Sequence, residues 1–163
     1  MKPAVALLVL LLCGCARGAN PSGPAEPEPP PTPVTIVQAG KGVVEQYKQA
    51  YQVRSLEALS AVYSHDLDVS LVHQGEAHHG WTAVETYLRD KLVRAAEVRL
   101  KLTDVTVLAL GQDAASVLAK MRRDINDGDT TITEEGYLTL ALRREPGPDG
   151  ARWVIASEHF SFR

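Results

Sequence analysis

Three histidines crowd one short stretch: His73, His78 and His79 flank the turn Gln74-Gly75-Glu76, with Glu76 at its tip. Imidazoles and a carboxylate that close together could converge on a metal ion. Adjacent residues of a strand face opposite ways, however, so His78 and His79 cannot both join His73 on one face. Two imidazoles and one loop carboxylate fall short of the usual zinc ligand set. A polar hairpin end is the simpler reading, and no metal or other cofactor is expected. A further histidine lies on the last apolar segment, Trp153 to Phe162. A period of two sends Trp153, Ile155, Ser157, His159 and Ser161 one way and Val154, Ala156, Glu158, Phe160 and Phe162 the other. With the Trp153 side facing inward, His159 is placed for general-base work or ligand donation, because an unperturbed imidazole titrates near pH ~6.5. The alternative is a structural histidine bonded to a backbone carbonyl, to Tyr137 or to Ser161, since no partner acid is evident. Arg122-Arg123 and Arg143-Arg144 are basic pairs within strands. One of each pair can point inward toward a carboxylate, although solvated strand edges explain them as well. No G-x-S-x-G, phosphate-binding loop or G-x-G-x-x-G is present.

The elements that must position these residues can be read from periodicity. Val43, Val44, Tyr47, Ala50 and Tyr51 share one helical face, which predicts a helix over 36–52. Ser55 is a good N-cap for a second helix with Leu56, Leu59, Val62 and Tyr63 on one side. The period then becomes two, which predicts a strand over 67–73. Thr82 and Glu85 form a capping box for a third helix to Val93, with Val84, Leu88 and Leu92 inward. Four strands follow, over 97–110, 114–125, 130–144 and 151–162. The first of them slips phase at Thr103-Asp104, which predicts a bulge and a bend.

The N-terminus reads as an address. Lys2 precedes nine apolar residues, Ala4 to Leu12, a run too short to span a bilayer and typical of an export signal. Leu12-Cys13-Gly14-Cys15 follows and resembles the lipobox of bacterial lipoproteins, in which the last cysteine becomes the acylated N-terminus. The alternative is an ordinary signal peptide cut near Ala16 or Ala19. Residues 1–14 are thus a lipoprotein signal peptide, Cys15 the lipidation site, and 16–33 a tether that holds seven of the chain's ten prolines. Such a segment cannot bury enough apolar area to order itself. It could hold the domain up to about 55 Å from the lipid. Ala16 after the cysteine favours the outer membrane, facing the periplasm. Residues 34–163 then form one domain. The full chain carries 17 basic and 20 acidic residues, too acidic a balance for sequence-independent nucleic-acid binding.

Three helices followed by a long meander predict an α+β domain, with a bent antiparallel sheet wrapped on N-terminal helices to leave a hollow cone. The helix VVEQYKQAY, the segment DVSLVHQGEAHHGWTAVETYL, the strand GYLTLALRR and the ending RWVIASEHFS together resemble the SnoaL-like domain of the nuclear transport factor two-like superfamily. In ketosteroid isomerases of this fold, a carboxylate base works opposite an oxyanion hole made by a helix-one tyrosine and a protonated aspartate. The resemblance places Tyr47 at the tyrosine, Leu71 at the base and Gly136 near the aspartate. Leu71 and Gly136 cannot act, so that chemistry is not supported as it stands.

Two-sided apolarity of the final strands points to a covered outer sheet face and hence to a homodimer. The functional expectation is a lipid-anchored, cell-envelope domain that binds a small, partly apolar ligand in the cone. Its expected pocket comprises Tyr47, Tyr63, Trp81, Tyr137, Trp153 and His159. The rival expectations are an isomerase or cyclase using His159 with Tyr47 or Tyr137, and an assembly module docking through its outer sheet face. Trp81 also reads simply as a wedge at the start of the third helix.

Overall fold

The computed structural model describes residues 29–148 and 150–162. The signal peptide, Cys15 and the tether up to residue 28 lie outside the described residues.

The first helix, α1 (Pro33–Gln52), starts three residues ahead of the periodic pattern. Its start is set by capping: Thr32 accepts from the Thr35 backbone and Thr35 returns the bond, with Pro33 at the first helical position. The short α2 (Leu56–Val62) is capped by Ser55, whose hydroxyl accepts from Ala58 N at 3.0 Å. The third helix, α3 (Trp81–Arg94), departs from expectation at its start. Gly80, at φ 77°, is the cap, and no side chain caps the helix. Glu85 pairs instead with Arg89 at 2.8 Å, and the Thr82 carbonyl accepts from Thr86. The left-handed turn at Gly80 begins the helix at Trp81, one residue before Thr82, so Thr82 is already inside it.

Between α2 and α3 lies a hairpin, β1 (Ser70–His73) and β2 (Glu76–His79). The expected strand from residue 67 begins only at 70. Leu67 is 94% exposed, and the segment before the strand is held by Arg143, which pairs with Asp66 and Asp68. Four long strands follow: β3 (Glu97–Ala109), β4 (Ala114–Asn126), β5 (Thr131–Gly147) and β6 (Gly150–Phe162). The sheet order is β2-β1-β6-β5-β4-β3. All pairs are antiparallel except β1 with β6, which run parallel. The sheet is therefore mixed rather than wholly antiparallel.

Two irregularities shape it. The first is the foreseen slip in β3 between Thr103 and Thr106, where Asp104 takes a φ of 52°. The second was not foreseen. On β6, Ile155 pairs with Leu142 and Ser157 with Ala141, which leaves Ala156 as an extra residue. The helices pack on the concave face, over Val98, Leu100, Val117, Met121, Leu138, Leu140, Leu142, Ile155 and Phe160. The bulge also corrects the reading of β6 as apolar on both sides. Phe160 joins the core beyond the bulge, so it adds nothing to the outer face.

Candidate functional site

The bulge at Ala156 decides which polar side chain enters the cone. Before it, Trp153 and Ile155 face the helices; after it, Glu158 and Phe160 do. His159 is consequently exposed on the outer side of the sheet, and the expected interior histidine is not there. Tyr137 is 41% exposed, because Leu138, Leu140 and Leu142 fill the core and their odd-numbered neighbours must point out. Trp153 is half-buried against the core. Trp81 opens α3 and stacks on His65 at 4.3 Å, in the manner of a wedge. Of the six expected pocket residues, the structure brings together Tyr47 and Tyr63, both 0% exposed, with Trp81 beside Tyr63 at 6.1 Å between ring centroids. Leu59 and Ile155, like the two tyrosines, are 0% exposed, so this part of the interior is closed to solvent.

A buried polar network lies in this interior. Tyr47, on α1, donates to Glu158 Oε1 at 2.9 Å, and Tyr63, at the end of α2, donates to the other carboxylate oxygen. Tyr63 is held there by a bridge to Ile155. The Tyr51 ring meets Tyr47 edge-on, with centroids 4.8 Å apart. The Arg123 guanidinium lies over the rings of Tyr51 and Phe160 at 5.5 and 5.7 Å. Its Nε donates to Glu134 Oε2 at 2.7 Å, and its Nη2 lies 2.9 Å from His73 Nε2. His73 Nε2 also stands 3.3 Å from Glu134 Oε1. Arg123, Glu134 and Glu158 are 3%, 5% and 2% exposed.

The two carboxyls are tuned in opposite directions. Burial would raise Glu134, but its contacts with His73 and Arg123 hold it down at about 2. Burial also raises Glu158, and here the donors Tyr63 and Tyr47 and the charge of Arg123 do not reverse it. Burial pushes the Tyr47 and Tyr63 phenols well above the usual range, with Glu158 adding to the shift.

Sequence reasoning passed over these acids for two different reasons. Arg123 and Glu134 are direct cross-strand partners. Both are in phase with the buried stripes of their strands, Ala119-Met121 and Leu138-Leu140-Leu142, so their inward aim was legible. Glu158 was hidden by the bulge. In register it lies beside Leu71 on the parallel strand. The carboxyl that Leu71 cannot supply is therefore present one strand over.

The network reaches the surface at an open cleft of about 760 Å³ between the β1–β2 hairpin and α3. His73, His78, Thr86, Tyr87, Lys91 and Arg94 are among its lining residues. The Tyr87 ring stacks loosely on His78 at 4.4 Å and stands 5.6 Å from His73. His78 Nε2 and Tyr87 Oη are buried and have no partner. Among the described residues, no group of three or more His, Cys, Asp or Glu side chains is placed to hold a metal ion.

Solved structures share this architecture. An NTF2-like protein of Streptomyces avermitilis, provisionally named a dehydratase, is 25% identical, with a TM-score of 0.71 over 81% of this chain and 99% of that one. An NTF2-like superfamily protein of Salmonella enterica is 16% identical, with a TM-score of 0.70 over 79% of this chain and 92% of that one. A protein of Novosphingobium aromaticivorans, provisionally named a scytalone dehydratase, is 12% identical, with a TM-score of 0.67 over 77% and 83%. No match is found among curated proteins. The family model for the SnoaL-like domain matches residues 41–163, which takes in α1 from Lys41 onward and every later element, and the chain belongs to that family.

Proposed function

We propose that the chain is a lipid-anchored cell-envelope protein whose domain binds a small, partly apolar ligand. The ligand site is the cleft beside α3 rather than the buried interior behind Trp153. One observation carries this reading: His73 lines the cleft and at the same time contacts the buried Arg123–Glu134 pair. A cleft floor fixed by a buried ion pair is pre-organised, as ligand sites are. A cleft of this size accommodates a small organic molecule. Cys15 would carry the acyl group and residues 16–33 the tether. A homodimer through the outer sheet face is part of the same proposal, since Leu108, Leu118 and Tyr137 are exposed there.

Native mass spectrometry of the full chain tests the binding claim. A small-molecule adduct is expected, and Ala83→Trp, which fills the cleft wall, is expected to remove it. A chain that is always free of adduct, and that binds nothing from a metabolite pool, overturns the proposal.

A second reading, an enzyme of the dehydratase or isomerase kind, is favoured by Glu158. A carboxyl with a raised pKa, between two phenols, is suited to proton transfer. The name given to the 25%-identical Streptomyces protein is consistent with it. On this reading Glu158→Gln abolishes turnover and leaves ligand affinity within about twofold.

A further inference from the structure

The charge around the cleft narrows the class of ligand, given that the cleft is the binding site. Lys91 and Arg94 stand one turn apart on its α3 wall, and neither forms an ion pair among the described residues. Cations suit the last turn of a helix, which accounts for their place in the sequence. It does not account for the burial of Lys91. Its ammonium lies 5.6 Å from the Tyr87 ring centroid and is half-buried. That desolvation holds its pKa below the ordinary lysine value. Glu134 and Glu76 act on it through space without an ion pair, and a partly dehydrated cation with no carboxylate in contact gains from an anion that reaches it. The acids on the same cleft, Glu76 and Asp90, are both exposed and keep their hydration. Beneath Lys91, the buried Tyr87 Oη and His78 Nε2 lack partners. Each such atom is unfavourable while it lacks a partner.

We propose that the cleft takes a small organic carboxylate, its carboxyl group paired with Lys91 and Arg94 and its apolar body against the Tyr87 and His78 rings.

Three isosteres separate the charge from the shape: benzoate, benzamide and benzamidine. Each is titrated calorimetrically into the full chain at low salt. Benzoate is expected to bind at least tenfold more tightly than benzamide, with benzamidine weakest. Lys91→Met, with its fold checked by circular dichroism, should remove the benzoate preference and leave benzamide affinity unchanged. Lys91→Gln serves if the methionine variant misfolds. Raising the salt to 0.5 M should weaken benzoate alone. Equal affinity for benzoate and benzamide, or tightest binding of benzamidine, overturns the carboxylate assignment and leaves the cleft as a binding site. Saturation by none of the three also overturns the assignment. The adduct test with Ala83→Trp then decides separately whether the cleft binds anything.

Discussion

Glu134→Gln keeps the side-chain shape and deletes the charge opposite Arg123. Arg123 is 3% exposed, so the variant leaves a buried guanidinium without its carboxylate partner. Removing one partner of a buried ion pair costs about 3–5 kcal/mol. The ionisation of Glu134 gives an independent figure. Its carboxyl sits at about 2 against an ordinary 4.5. At roughly 1.4 kcal/mol per pH unit, the charged form contributes on the order of 3 kcal/mol. The two routes agree. The sign follows from the direction of the shift: a lowered carboxyl contributes stability that is full above the unfolded pKa, about 4.3, and fades as pH falls through the folded value near 2. Urea unfolding, followed by the fluorescence of Trp81 and Trp153 from pH 7 to pH 2, measures both quantities. Glu134→Gln should lie about 3 kcal/mol below the unmodified chain at pH 7, with the gap narrowing toward pH 2. A gap under about 1 kcal/mol at pH 7, or one that persists undiminished into acid, refutes the claim that this pair is buried, charged and coupled.

Glu158→Gln should show the opposite trend. A raised carboxyl contributes stability that is full below the unfolded pKa and is lost as pH rises through the folded one. The unmodified chain should therefore lose stability with rising pH more steeply than the variant, and a shallower slope in the unmodified chain would contradict the buried placement. Gly40→Ala should destabilise despite its better helix propensity. Its Cβ would lie 2.7 Å from Val107 Cγ1 on β3, and overpacking of this kind costs about 1–3 kcal/mol. In a Val107→Ala background the same substitution should become neutral or stabilising in urea melts. His159→Ala should change stability by less than about 0.5 kcal/mol, as an exposed substitution does, and should leave any ligand adduct intact.

The fold was legible because its signals are local and redundant. Ser55 caps where a helix begins, the β3 slip at Thr103 shows in the alternation itself, and Asn126-Asp127-Gly128-Asp129 turns one long strand into the next. The parallel contact of β1 with β6 has no local signal. It arises only when the last strand returns beside the first, and residues 70 and 157 meet across the whole domain. The site was half legible. Tyr47 and Tyr63 lie on apolar helical faces and had to be buried. The acids they bond could be found only by extending each strand's phase across polar residues. That works for Glu134, on an unbroken stripe, and fails for Glu158, behind an interruption that nothing in Ile155-Ala156-Ser157 announces. The cleft lies beyond sequence reasoning because it depends on how far α3 stands from the hairpin.

Ala156 offers the sharpest test of that argument. Ile155 and Glu158 both face the helices although they are three residues apart, and strict alternation allows inward residues only at even separations. If Ala156 is a true insertion, its deletion leaves Glu158 two residues from Ile155 and still inward, and only the local bend is lost. Deleting Ala156 and Ser157 together places Glu158 next to Ile155 and turns it out, with His159 turned in. The phenols report which arrangement forms. Tyr47 and Tyr63 are held well above the ordinary tyrosine range by burial and by Glu158, so they stay protonated where an ordinary phenol ionises. In an alkaline titration read by phenolate absorbance, the single deletion should keep these resistant phenols at a stability cost of about 1–3 kcal/mol. The double deletion should release them or fail to fold. Release of both tyrosines in the single deletion would mean that Ala156 is part of the frame that holds Glu158, rather than a spacer that sets its phase.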